Sequence, residues 1–168
     1  MTAWYDIVSK KYNAECPGID ASQQQMLRTL KSEHDKGIPY NRMVLIGFSQ
    51  GGALCLYTGM QMPLGTGPLA GIVMISGYLP RANAFKITPG LQDTPIFHGH
   101  GALDLWVRVT AARKSKILVT EKGAREYTLK IYKCLGHSAN PKEWNDVLAF
   151  LKKCLPPTDE CWIKLDSS

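Results

Sequence analysis

The sequence predicts an α/β fold, a mostly parallel sheet flanked by helices, and three observations carry that expectation. Short apolar runs rich in branched side chains alternate along the chain with segments of helical spacing, the pattern of buried strands joined by crossover helices. One of these runs ends abruptly in Gly47-Phe48-Ser49-Gln50-Gly51, a glycine-flanked serine at the junction of a strand and a helix. The composition fits as well: 168 residues, 45% hydrophobic and 20% charged, suffice for one domain with a real core. No internal repeat or low-complexity tract interrupts the pattern. Residues 1–157 are expected to form that domain and residues 158–168 a C-terminal tail.

The first element is a helix over residues 19–37. Asp20 is placed to cap its free amides, with Gln23 in capping-box position; Met26, Leu27, Leu30 and His34 recur on one face, and Gly37 with Pro39 closes it. Residues 42–48 (RMVLIGF) form a nearly continuous apolar run, expected as a strand buried on both faces, and residues 50–60 resume helical spacing. Further strands are expected at residues 69–76 (LAGIVMIS), 94–99 (TPIFHG) and 126–133 (EYTLKIYK), with a helix of basic face at 107–122. The last helix, residues 141–154, has Asn140 as its cap, Pro141 at its first position and Glu143 closing a capping box.

A serine in such a turn points to nucleophilic catalysis. In a nucleophile elbow the serine takes a strained backbone conformation at the end of the strand. Gly47 and Gly51 are expected because a β-carbon at either would collide with the neighbouring strand or helix. The hydroxyl then stands at the head of a helix whose N-terminal amides favour a developing anion. Serine is a poor nucleophile at neutral pH, so it needs a base, and the base needs a carboxylate to orient it. On a parallel sheet these groups come from loops at the carboxyl ends of strands, in the chain order Ser, Asp, His. Asp104 lies just past the 94–99 strand, in HGALD, and His137 just past the 126–133 strand, in LGHS. Asp93 is the next candidate for the carboxylate.

The segments that hold these residues resemble the acyl-protein thioesterase and lysophospholipase family of small carboxylesterases. The resemblance lies in GFSQGGALCLYTG, LAGIVMISGYLP, HGALDLWV and LGHSANPKEWNDVLAFLKKCLPP, in the opening AWYDI, and in the helix leading into GIPYNRMVLIGFSQGG. It implies an α/β-hydrolase fold with Ser49 as nucleophile, His137 as base, Asp104 as its partner and the Gln50 amide as one oxyanion donor. It also implies hydrolysis of acyl thioesters and oxyesters, on S-acylated proteins or lysophospholipids, with neither metal nor cofactor. Tyr78, Leu79 and Trp106 are candidate walls for an acyl chain.

The chain departs from the family pattern in three places. Leu105-Trp106-Val107-Arg108 follows Asp104 where prolines are common, so the acid loop is expected to sit differently. The segment between Tyr78 and Thr94 is short. Upstream of Ser49 the glycines are Gly18, Gly37 and Gly47, none beside a histidine, so the N-terminal part of the sheet and the loop giving a second oxyanion donor are expected to be missing. In that case residues 42–48 become an exposed apolar edge. The alternative function is then a catalytically impaired protein of the same fold that binds an acyl chain or a partner.

Charge and cysteine usage narrow the other classes. The net charge is +6 and the pI about 9.1, but Lys10-Lys11, Arg113-Lys114-Ser115-Lys116 and Lys152-Lys153 are dispersed and lack interleaved aromatics, which fits a solvated face and transient membrane-surface contact rather than nucleic acid. The cysteines Cys16, Cys55, Cys134, Cys154 and Cys161 are odd in number, follow no metal-ligand spacing and fit a reducing compartment. The opening MTAWYDIVSKKYN lacks a basic patch followed by an apolar core, so a cytoplasmic location is expected. A metallohydrolase built on His98-x-His100 with Asp104 and His137 is disfavoured by spacing. The metal-binding pattern needs an acid two residues after the second histidine, whereas Asp104 is four away and is followed by Leu105.

Overall fold

A computed structural model of the chain describes residues 3–9 and 14–157. The elements follow one another as α1 (Ile19–Asp35), β1 (Val44–Phe48), α2 (Gln50–Gly59), β2 (Gly71–Ile75), β3 (Ile96–Gly101), α3 (Val109–Glu121), β4 (Tyr127–Tyr132) and α4 (Pro141–Cys154), with a 3-10 turn at Tyr40–Arg42. The four strands form one parallel sheet in the order β1-β2-β3-β4. Each crossover is helical or a long loop, as parallel pairing requires.

Strand alternation sorts the side chains onto two faces. On one, Leu45, Ile72, Met74, Ile96 and Leu129 meet Leu30 of α1, Leu54 and Leu56 of α2 and Val119 of α3 in the main core. On the other, Val73, Ile75 and Phe97 pack against Val147, Phe150 and Leu151 of α4. Complete burial of an aliphatic or aromatic side chain stabilises by about 1.5–3 kcal/mol, so β2, buried at all its positions, is a principal anchor of the sheet. Gly71 lets α4 approach, because a β-carbon there would lie 2.9 Å from the Phe150 ring.

The expected order of elements is observed, with local corrections. β3 starts at Ile96, after Pro95, which has no N–H to donate but whose carbonyl accepts from the Ile72 amide at 2.8 Å. β1 is not buried on both faces. Helix α4 covers β2 and β3, and β1 is an edge among the described residues, so Ile46 and Phe48 stay 47% and 45% exposed. The exposed apolar edge expected at residues 42–48 is therefore seen in its outer half.

The helix ends differ in how well they were anticipated. Helix α1 begins at the fully buried Ile19, its cap position filled by Gly18 in the left-handed region at φ 89 with no side-chain cap. Asp20 lies inside the first turn, where its carboxylate accepts from Arg81 Nη1 at 2.7 Å rather than capping the helix. Asn140 caps α4 as expected, its Oδ1 accepting from the Glu143 amide at 2.8 Å. The Glu143 carboxyl does not close the box; it is fully buried, and neither oxygen has a hydrogen-bond partner among the described residues. Of the tail, residues 158–168 lie outside the described residues.

Candidate active site

Ser49 sits between the last residue of β1 and the first of α2, at φ 53 and ψ −120. A conformation of this kind costs on the order of 1–3 kcal/mol and persists only where neighbours over-determine it. Here they do: the Ser49 amide donates to Ile75 O at 2.7 Å, and its carbonyl accepts from the Ala53 amide at 3.0 Å. Gly47 is indispensable, since its β-carbon would come within 2.4 Å of the Gly51 backbone. The second tight position is Gly52, 2.7 Å from Gly47 O, and not Gly51, whose β-carbon would meet only the Trp4 indole nitrogen at an ordinary 3.5 Å. The strand thus passes so close to the helix that the serine side chain is turned outward.

Asp104 and His137 lie on the loops after β3 and β4, and a glycine brings those loops together. A β-carbon on Gly101 would lie 2.3 Å from both Leu135 O and Gly136 O. The Leu103 amide donates to Leu135 O at 2.9 Å, tying the two loops where they cross. Asp104, 3% exposed, accepts at Oδ1 from the Trp106 amide at 2.9 Å and the Val107 amide at 2.8 Å. Its Oδ2 lies 2.7 Å from His137 Nδ1, and His137 Nε2 lies 2.9 Å from Ser49 Oγ. A carboxylate can only accept, so Nδ1 carries the proton, and in the neutral ring Nε2 is free to accept from the serine hydroxyl. Phe48 packs against the His137 ring with centroids 4.9 Å apart, limiting its rotation.

The expected partners of this line fall in different settings. Gln50 is the first residue of α2, so its amide has no acceptor within the helix. Its side chain holds the segment of residues 3–9: Oε1 accepts from the Trp4 amide at 3.0 Å and Nε2 donates to Tyr5 O at 2.7 Å. That segment is fastened further by Ser22 Oγ donating to Trp4 O and by the Asp6 amide on Pro17 O. Tyr78 is half-buried with its hydroxyl 3.0 Å from that of Tyr5, Leu79 lies wholly inside the main core, and Trp106 is 75% exposed on the acid loop. Asp93 pairs with Arg125 at 2.8 Å on the surface.

Sequence reasoning missed what lies beneath the acid loop. His98 and His100 are fully buried side chains of β3, and their ring nitrogens are engaged by Tyr127 Oη, by each other and by Val107 O. Their i, i+2 spacing on an apolar strand was the available signal, since alternate strand residues share a face. Among the described residues no group of three or more His, Cys, Asp or Glu is arranged to hold a metal ion. Burial pushes the Glu143 carboxyl up to about 7, against the opposing pull of the nearby Asn140 amide. Its carboxyl fills the space that Gly99 leaves on β3, where a β-carbon would lie 2.2 Å from Oε1.

Residues 1–155 match the Phospholipase/Carboxylesterase family. Acyl-protein thioesterase 1 of Saccharomyces cerevisiae is 35% identical over 161 residues, which take in 92% of this chain and 70% of that protein. Among solved structures, Arabidopsis thaliana SOBER1 superposes with a TM-score of 0.79 at 25% identity, covering 91% of this chain and 74% of the other. Zea mays acyl-protein thioesterase 2 does so with 0.75 at 25% identity, covering 91% and 72%. With a parallel sheet, a strand-serine-helix elbow and relatives of this kind, the chain belongs to the Phospholipase/Carboxylesterase family and is an α/β-hydrolase acting on acyl esters and thioesters.

Proposed function

We propose that Ser49, His137 and Asp104 are the catalytic triad of this hydrolase, and that its substrates are S-acylated proteins or lysophospholipids. The observation that best supports the triad is the unbroken hydrogen-bonded line from Asp104 Oδ2 through His137 to Ser49 Oγ, 2.7 and 2.9 Å. In the reaction, Ser49 Oγ attacks the acyl carbonyl as His137 Nε2 takes its proton, and Asp104 stabilises the imidazolium that results. The carbonyl oxygen, now negative, faces the Gln50 amide at the N-terminus of α2. Collapse of the tetrahedral intermediate breaks the bond to the leaving thiolate or alkoxide, which takes the proton from His137. Water, deprotonated by the same nitrogen, then releases the acid and restores the serine.

The substrate class rests on the relatives, which are named as acyl-protein thioesterases, and on the exposed apolar side chains of Leu105 and Trp106 on the loop that carries Asp104. No helix among the described residues is long and apolar enough to cross a membrane. We place the enzyme in the cytoplasm, where Cys16, Cys55, Cys134 and Cys154 remain free thiols, with transient contact to the membrane surface that carries its substrates. Residues 1–157 act as one domain in this proposal.

A fluorophosphonate probe tests the triad directly, because it labels only an activated serine. The expected result is labelling of the native chain, none of Ser49→Ala, and loss of p-nitrophenyl ester and acyl-thioester turnover on the order of a millionfold in that variant, with unchanged circular dichroism. A folded native chain that takes no label leaves the binding protein as the better account. Turnover by Ser49→Ala within a few-fold of the native chain refutes the serine.

A further inference from the structure

The carboxyl end of β3 carries a buried line of polar side chains whose direction is fixed at one end. His98 Nδ1 lies 2.9 Å from Tyr127 Oη, His98 Nε2 lies 3.2 Å from His100 Nδ1, and His100 Nε2 lies 2.8 Å from Val107 O. A backbone carbonyl can only accept, so His100 Nε2 carries a proton. Burial holds both imidazoles below their ordinary range, so each ring is neutral and has one donor and one acceptor. His100 Nδ1 must therefore accept from His98 Nε2, and His98 Nδ1 must accept from Tyr127, whose phenol burial keeps protonated. Every hydrogen bond in the line has one possible direction, running from Tyr127 toward the acid loop.

The line ends on the loop that the site uses. Val107 donates its amide to Asp104 Oδ1 at 2.8 Å while its carbonyl accepts from His100, so one peptide segment is gripped from both sides. The same His100 Nε2 is 3.5 Å from Asp104 Oδ2, the oxygen that meets His137. No metal need be invoked for two histidines on a buried strand: their nitrogens are already engaged. A merely apolar pair at these positions would bury the same surface and leave Val107 O without this partner.

We propose that His100, oriented by His98 and Tyr127, is a positioning residue that sets the Asp104 carboxylate on His137. This inference rests on the triad reading above. His100 touches no reacting atom; it acts by fixing where Oδ2 points. A displacement of about 1 Å in such a group can cost on the order of a hundredfold in rate.

The test compares two amides at one position. In His100→Gln the side chain is long enough to donate to Val107 O and accept from His98; in His100→Asn it is one carbon short of the carbonyl. The expected result is that Gln keeps kcat and the rate of fluorophosphonate labelling within a few-fold, while Asn loses on the order of ten- to a hundredfold in both with KM unchanged. The downfield proton resonance of the Asp104–His137 hydrogen bond should persist in Gln and broaden away in Asn. Equal labelling rates and equal resonances in the two folded variants overturn the proposal. Should His100→Asn fail to fold, Tyr127→Phe decides, since it removes only the hydroxyl that starts the line. A few-fold slower labelling and a broadened resonance support the proposal there, and no change in either refutes it. A native chain that takes no label at all overturns the triad reading first, and this inference falls with it.

Discussion

The strand that leads into Ser49 and the strand that leads into Asp104 lie in the same sheet with only β2 between them, yet they are held in different ways. All of β3 is buried, and its polar side chains are spent on one another and on the acid loop. No residue of β1 is fully buried, and Ile46 and Phe48 face outward. What fixes Ser49 is local: the contact of Gly47 with Gly51 and Gly52, the amide bond to Ile75 and the start of α2. Orientation of the Asp104 carboxylate is thus a property of the core, while orientation of the Ser49 hydroxyl is a property of one turn. An exchange at Asp104 should change chemistry while the loop holds its shape, and an exchange on the exposed face of β1 should change association before it changes chemistry.

The largest effect is expected at the buried end. Asp104→Asn keeps an oxygen for the Trp106 and Val107 amides, so the loop should hold its shape. It turns an amide N–H toward His137 Nδ1, which must then accept, leaving Nε2 protonated and unable to take the serine proton. A loss of about ten-thousandfold in kcat is expected, as in serine hydrolases where the same exchange imposes the wrong tautomer. The check is steady-state ester hydrolysis alongside thermal unfolding: activity within tenfold of native would mean that the carboxylate does not orient the base.

The same contrast explains what was legible in the sequence. Order and type of elements could be read because β2 is a continuous apolar run, strand and helix patterns alternate along the chain, and α4 carries its own start signal in Asn140-Pro141. The residues of the proposed triad could be picked out because Ser49, Asp104 and His137 each follow a strand. The local errors turned on backbone and side-chain contacts, most of them with a distant segment. Asp20 reads as a cap until Arg81 arrives from 61 residues away. Gly51 reads as the tight glycine until the backbone distances show that Gly52 is closer. Glu143 reads as the partner of a capping box until it is seen filling the space above Gly99. His98 and His100, disfavoured as metal ligands on spacing, find their partners only when Tyr127 and Val107 take their outer nitrogens.

A smaller effect concerns stability, and Glu143 supplies it. The ordinary carboxyl value is 4.5, and burial pushes this group up to about 7 in the folded chain. Below pH 4.5 both states hold the proton and nothing is lost. Between 4.5 and 7 the unfolded chain releases it while the folded chain retains it, so the folded state binds more protons and stability falls as pH rises. Above 7 both are ionised and the loss levels off. The total is on the order of 3 kcal/mol at most. Glu143→Gln removes this dependence, so urea unfolding should give nearly equal stabilities near pH 4 and a more stable variant at pH 8. Parallel stability curves for the two proteins would show that the carboxyl ionises freely in the folded state.

The smallest effect in energy tests the exposed side of the comparison. Beyond β1 no further strand is paired among the described residues, so its outward amides and carbonyls stand beside the half-exposed Ile46 and Phe48. An edge of this kind favours pairing with a second chain, and a lysine on it is the usual means of preventing that. Ile46 points away from the main core and contributes little to it, so Ile46→Lys should change stability by only about 0.5 kcal/mol. Phe48 is a poorer choice because it packs on His137. In size-exclusion chromatography with light scattering across a concentration series, the native chain should self-associate and Ile46→Lys should do so less, both keeping the same labelling rate at low concentration. A native chain that stays monomeric throughout would show that the edge is already protected. β1 would then be as securely covered as β3, and the contrast between them would vanish.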